Sequence, residues 1–258
     1  MKVIFVPKKV LNNIILVLIM VLISITYSLT DGYKYANVFL KSQREIPIYS
    51  VDTNEKKISL TFDVAQDEGY IDEILNILDT NNIKATFFIV GDWVDNYPGK
   101  VKEIYDKGHE IGNHSNSHPY FSKIQPEKMK QEILISSDKI KKITGKGTTL
   151  FRAPYGDYNN TVVKTVKETG HYCIQWDVDS IDWKDPGKEY IYNKMINNTG
   201  NGSILLFHNY AKDTPEVLDS IIKELKRKGF EFVKISDLIY KDNYYIDNIG
   251  RQKKILNN

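Results

Sequence analysis

The chain has 258 residues, with 35 Lys and Arg against 33 Asp and Glu for a net charge of +2, and a single cysteine. That length suits one large domain, or a domain with appendages, and can bury a substantial core. The near-balanced charge gives no case for nucleic acid as a partner, and the lone Cys173, in the apolar run Tyr172 to Trp176, excludes an internal disulfide and reads as a buried structural thiol.

At the N-terminus, Lys2, Lys8 and Lys9 precede the unbroken apolar run Ile14 to Ile23, inside a longer apolar region from Val10 to Leu29. A basic flank before an apolar core is an export signal. Thr26 and Ser28 offer small residues before a cleavage site, while the length of the region equally permits a retained anchor helix. Residues 1–30 are therefore expected to be a signal peptide or N-terminal membrane anchor. The remainder is expected to be exported, whether cell-surface, membrane-anchored or secreted. Residues 31–57 are polar apart from Tyr33, Tyr35 and Ile46 to Tyr49, and read as a spacer. The domain proper is expected over 58–240. Residues 241–258, with Arg251, Lys253 and Lys254 and little periodicity, read as a frayed polar C-terminal tail.

Within 58–240 short apolar runs alternate with helical spacing. Strands are expected at Ile58 to Phe62, Ala85 to Val90, His109 to Gly112, Thr149 to Arg152, Tyr172 to Trp176, Ser203 to Phe207 and Glu231 to Lys234. The helices between them cover Tyr70 to Asn81, Trp93 to Lys107, Pro126 to Ile143, Asn159 to Thr169, Lys188 to Asn197 and Pro215 to Lys228, with a closing helix at Ser236 to Tyr240; several stop at glycine. Seven strands alternating with helices imply an α/β fold of parallel strands joined by crossovers, in a barrel-like and imperfectly closed sheet. In such folds chemistry collects at the C-terminal ends of the strands.

Polar clusters follow the apolar runs at five places. The first is Thr61-Phe62-Asp63 with Asp67 and Glu68 close behind. The second is His114-Ser115-Asn116-Ser117-His118, whose two imidazoles would share one face if the segment formed a helical turn. The third is Phe151 to Gly156, including Arg152 and Tyr155; the fourth runs from Asp177 to Trp183 and includes Asp182; the last is Leu205-Leu206-Phe207-His208-Asn209. His109 begins a strand and His171 precedes one, so both read as structural, and Asp177 and Asp179 as structural or rim residues.

The ordered set TFD, HSxxH, RxPYG, DxxDW and LxH resembles the polysaccharide deacetylases of the NodB-homology type, carbohydrate esterase family 4, over roughly Ile58 to Tyr240. The resemblance implies a metal-dependent hydrolase on a distorted (β/α)7 barrel that removes N-acetyl groups from wall or chitin-like glycans. It implies a divalent metal on His114 and His118, zinc before cobalt or manganese. It implies Asp63 as general base paired with Arg152, and His208 as general acid oriented by Asp182. A backbone N–H near Tyr155 would face the oxyanion, with Trp183 and Leu206 walling a small pocket for the acetyl methyl.

One departure matters. The family pattern carries a second aspartate directly after the first as third metal ligand, and here that position is Val64. Three outcomes are open: Asp67 swings in as a substitute, which is the expectation favoured; Asp63 itself binds the metal; or two histidines and waters hold it weakly. A chain without useful metal would be a glycan-binding pseudoenzyme, and chitin-like oligomers or O-acetylated polysaccharide are alternative substrates to peptidoglycan. The expected partner is cell-wall glycan, with the membrane met only through the N-terminal segment and the protein acting as a monomer.

Overall fold

The computed structural model describes residues 8–41 and 44–255 and divides into two units, Met1–Arg44 and Glu45–Asn258. In the first, the helix Lys8–Lys41 contains a stretch, Lys8–Ser28, that is long and apolar enough to cross a membrane, with mean hydropathy 2.4. Lys2, part of the expected export signal, lies outside the described residues.

Among the described residues the second unit holds eleven helical elements around two sheets built from β1 (Ser50–Val51), β2 (Lys57–Val64), β3 (Thr86–Ile89), β4 (Glu110–Asn113), β5 (Leu150–Phe151), β6 (Tyr172–Cys173), β7 (Val178–Asp179), β8 (Ile204–His208), β9 (Glu231–Phe232), β10 (Tyr244–Ile246) and β11 (Arg251–Lys254). The larger sheet is all parallel in the order β6-β5-β4-β3-β2-β8-β7, with β9 on the N-terminal end of β2 at Lys57 and Ile58. Each expected strand is present, and β7 is an addition.

The strand order itself requires curvature. β6 and β7 stand at opposite ends of the row, yet Cys173 and Val178 are successive strand ends only five Cα steps apart. Five steps reach at most about 19 Å. Seven strands laid flat at roughly 4.8 Å spacing would separate the outer two by about 29 Å. The sheet therefore curls into a half-barrel, the NodB-type fold expected.

Its seam is filled by the segment read as a spacer. Ile48 bridges Ile174 and Ser50 bridges Ser203, with Ile48 N–H donating to Cys173 O at 2.8 Å and Gln175 N–H to Ile48 O at 2.7 Å. Gly202 has φ +76, and a Cβ there would stand 1.8 Å from Val51 O, so only glycine admits the strand. The frayed tail expected after Tyr240 is instead a hairpin: β10 pairs antiparallel with β11, and β11 pairs with β1. Gln252, fully buried, fixes it by trading two hydrogen bonds with the backbone of Tyr240. These strands have two to four residues, too few for alternation to stand out among charged neighbours.

Alternation along β2 sorts its side chains. Leu60, Phe62 and Val64 enter the apolar layer under the helices, with Phe87, Phe207, Ile71 and Trp93. Thr61 and Asp63 face the barrel interior, where both meet Arg152. Two local expectations fail. The helix expected over Trp93 to Lys107 is two helices, Gly91–Asn96 and Pro98–Asp106, because Pro98 disfavours helical backbone at Tyr97, which takes φ −130 and ψ 52. The segment His114 to His118 is not a helical turn: Ser115 and His118 have φ +69 and +58 and make it a tight loop.

Candidate active site

β2 and β8 run side by side in a register that sets Asp63 opposite His208, and β4 and β5 deliver the His114 loop and Arg152 beside them. Around these strand ends lies a cavity of ≈ 680 Å³ whose lining includes Asp63, His114, His118, Tyr155, Trp183, Leu206 and His208, together with Trp93, Trp176, Asp179 and Tyr210. Arg152 and Asp182 stand directly behind the lining, each fully buried.

Asp63 is held by a guanidinium. Arg152 Nη1 donates to Asp63 Oδ1 at 2.7 Å and to Thr61 Oγ1 at 2.9 Å, while Nη2 donates to Gln175 O at 3.0 Å. Its guanidinium lies over the Phe88 ring at 4.1 Å. Gly112 makes room for that ring, since a Cβ there would stand 2.5 Å from it. Burial pushes the Asp63 carboxyl up, but the positive charge of Arg152, the neighbouring His114 and His208 rings and the Arg152 hydrogen bond together outweigh it, so the net shift is downward. Asp63 is thus ionised at neutral pH, with Oδ2 left facing the cavity.

His208 stands in the opposite state. Its Nδ1 is 2.7 Å from Asp182 Oδ1, and Asp182 Oδ2 accepts from His208 N–H at 2.8 Å and from Thr214 Oγ1 at 2.6 Å. Burial lowers the ring's pKa, but the hydrogen bond and charge of Asp182, helped by Asp63 and Asp179, carry the net shift upward. The site therefore pairs a carboxyl shifted downward with an imidazole shifted upward, the separation that marks a base and an acid.

His114 Nδ1 lies 2.9 Å from Arg152 O, and a carbonyl only accepts, so Nδ1 carries the proton and Nε2 offers a lone pair. The His118 ring lies 4.9 Å from that of His114 and packs edge-on to Tyr155 at 4.5 Å. Burial lowers both imidazoles, His118 to about 4, which keeps them neutral and able to ligate. Two neutral imidazoles on one cavity wall fit the donor chemistry of a borderline divalent ion. Asp63 Oδ2 is 3.5 Å from His114 Nε2, a contact with a neutral ring and not an ion pair.

The expected third ligand is not brought in. The Asp67 side chain is exposed and does not line the cavity. Its backbone carbonyl accepts from Trp93 Nε1 at 2.7 Å and Asn209 Nδ2 at 3.0 Å, and Asn209 also holds Glu68 O at 3.1 Å. Pinned in this way, the loop turns the Asp67 carboxylate outward. Among the described residues no set of three or more His, Cys, Asp or Glu side chains is placed to hold one ion. The fit is therefore to two protein donors.

Motif reading passed over Glu132, Gln175 and Thr214 and gave no role to Asn209, which stood in the last polar cluster; all four hold site residues or their loops in place. Glu132 left one signal in the sequence: an acidic side chain among Met129, Ile133, Ser136 and Ile140, the buried stripe of the helix Pro126–Thr144. Asp177, His109 and His171 lie outside the cavity lining, and Cys173 is buried and free with its thiol pushed up to about 12 by burial.

Comparison with known proteins identifies the family. The polysaccharide deacetylase family pattern matches residues 50–174. The chain is 34% identical over 221 residues to the peptidoglycan-N-acetylmuramic acid deacetylase PdaA of Bacillus subtilis, covering 84% of this chain and 83% of that one. It is 38% identical over 196 residues to a peptidoglycan-N-acetylglucosamine deacetylase of Bacillus cereus, covering 74% and 92%. Among solved structures, a family 4 pseudoenzyme from Bacillus anthracis superposes with a TM-score of 0.72 at 32% identity, over 77% of this chain and 70% of that one. With fold, site and sequence in accord, the chain belongs to the polysaccharide deacetylases of carbohydrate esterase family 4, hydrolases of amide bonds.

Proposed function

We propose that the chain is an exported peptidoglycan N-deacetylase, a metal-dependent hydrolase that removes N-acetyl groups from wall amino sugars and releases acetate. The observation that carries this reading is the opposed pair on one cavity: Asp63 paired with the Arg152 guanidinium, and His208 paired with the Asp182 carboxylate, which favours its protonated form. An acetamide needs both, because water is a poor nucleophile and an amide nitrogen a poor leaving group. Relatives that act on peptidoglycan, and an N-terminal helix able to serve as signal or anchor, support the substrate and the location. The protein acts as a monomer and meets the membrane only through that helix.

In the proposed mechanism Asp63 takes the proton of the attacking water at Oδ2, since Oδ1 is occupied by Arg152. His208, with Nδ1 engaged by Asp182, turns Nε2 to the substrate and delivers its proton to the departing amine. The backbone N–H of Tyr155, in a left-handed turn with φ +60, faces the developing oxyanion, while Trp183 and Leu206 exclude bulk around the acetyl methyl. A divalent ion on His114 and His118, zinc by donor chemistry with cobalt or manganese as alternatives, supplies Lewis acidity toward the acetyl carbonyl and the attacking water.

That no third protein donor stands beside the two histidines among the described residues favours a second reading, a glycan-binding protein with weak or no turnover. The two charge-tuned pairs weigh against it, because binding alone needs neither acid nor base. The deciding measurement is acetate release by purified protein with zinc, cobalt or manganese. Release from peptidoglycan supports deacetylation of the wall; release only from chitooligosaccharides or acetylxylan moves the substrate; glycan binding without acetate from any of them establishes the binding protein.

A further inference from the structure

We propose that Glu132 is the positioning residue of the His118 side of the site, holding the His114 to His118 loop in the one shape that turns the second imidazole into the cavity. Glu132 is 1% exposed and approaches from the helix Pro126–Thr144, outside every motif that marks the family. Its Oε2 accepts two consecutive backbone N–H groups, Asn116 at 3.0 Å and Ser117 at 2.7 Å, while Oε1 accepts Ser117 Oγ at 3.0 Å and meets Lys128 Nζ at 3.1 Å. Burial pushes its carboxyl up, yet the Ser117 and Lys128 hydrogen bonds carry the net shift downward, so the carboxylate is charged where it sits.

The loop needs such a clamp because its own backbone resists the shape. Ser115 and His118 are both left-handed, a conformation that costs a non-glycine residue about 1 kcal/mol or more and persists only where surroundings over-determine it. Each end has a local tie: Asn113 Oδ1 accepts Ser115 N–H at 2.9 Å, and Ser115 Oγ accepts His118 N–H at 2.9 Å. Between them, the two amides that turn the chain into His118 are satisfied by Glu132. His114, by contrast, has its ring fixed by Arg152 O. The two imidazoles thus have separate supports, and Glu132 bears on one alone.

This inference rests on the metal reading only for its second readout. The test uses Glu132→Gln, which keeps the shape and turns an NH₂ toward donors, with Glu132→Asp as the conservative variant. In metal-free protein, NMR contacts between the His118 and Tyr155 rings, 4.5 Å apart here, are expected to weaken in Glu132→Gln while the His114 resonances stay in place. Zinc affinity by calorimetry is expected to fall about 10- to 100-fold, the usual cost of losing support behind a ligating histidine, with partial recovery in Glu132→Asp. Folded variants that keep both the ring contacts and the wild-type zinc affinity overturn the proposal. So does a lowered Tm with both readouts intact, which is a purely structural role. If Glu132→Gln does not fold, Ser117→Ala removes only the Oγ contact and must shift the same ring contacts by a smaller amount; no shift overturns the proposal. If wild type binds no zinc, the metal reading falls and the NMR comparison alone decides the clamp.

Discussion

Replacing Asp182 with Asn asks how strongly one buried carboxylate tunes the acid. Asp182 is fully buried and grips His208 at Nδ1, at 2.7 Å, and at the backbone N–H, at 2.8 Å. A hydrogen bond to a charged partner contributes about 1.5–3 kcal/mol net, and each 1.36 kcal/mol is about one pKa unit. Losing the charge should therefore lower the His208 pKa by about one to two units. The sign follows from the role: an acid works only while protonated, so activity falls as pH rises through its pKa, and a raised pKa extends the active range upward. In Asp182→Asn the alkaline limb of kcat/KM against pH moves to lower pH by about that amount, while the acidic limb, set by Asp63, stays. The assay is acetate release across the pH range on variant protein whose fold is checked by circular dichroism. An alkaline limb that stays in place, or one that moves up, refutes the pairing as the source of the acid's tuning.

Asp67→Ala leaves zinc affinity by calorimetry unchanged, because the carboxylate faces solvent; a loss of affinity would return it to the ion. Val64→Asp, in contrast, places a carboxylate in the apolar layer beside the cavity, so Tm falls without zinc and rises with zinc by more than in wild type; an equal loss in both conditions puts position 64 beyond the ion's reach. Leu206→Ala enlarges the acyl pocket and should raise propionyl relative to acetyl turnover by about 10-fold or more, at about 2–5 kcal/mol of stability by urea unfolding; an unchanged ratio removes Leu206 from the acyl wall. His109, buried far from the cavity, has its ring lowered to about 4 by burial. The unfolded chain then binds a proton the fold refuses, so stability is full above about pH 6.5 and drops by roughly 3 kcal/mol towards pH 4. In His109→Phe that share of the slope in urea unfolding disappears, and an identical slope would place it elsewhere.

The alternation of β2, β3 and β8 with their helices was readable because β3 and β8 are short apolar runs and Ile58, Leu60 and Phe62 of β2 recur at every second position, and the polar clusters behind those strands do meet at one cavity. Spacing failed where backbone shape decides. Two histidines four apart suggested a helical turn, but only the left-handed Ser115 and His118, held from Glu132, bring the rings together. Asp67 looked available because it follows Asp63 closely; contacts from Trp93 and Asn209, remote in sequence, turn it away. β7 was hidden in a polar stretch, since two residues beside Leu205 and Leu206 are too few to show a period.

The seam segment decides where this protein can be cut. Glu45 is already tied down, its N–H to Asn160 Oδ1 at 3.0 Å and its carboxylate to Lys167 at 2.7 Å. Three residues on, Ile48 O holds the peptide of Gln175, whose own carbonyl holds Arg152. A fragment trimmed to the motif-bearing stretch, beginning at Ile58 or ending at Tyr240, would bare the facing edges of the half-barrel to pairing with other chains. It would also slacken the guanidinium behind Asp63. Processing after Ser28 leaves this lock intact, whereas a cut downstream of Glu45 removes it, so a working soluble fragment begins no later than Glu45 and keeps the hairpin through Lys254.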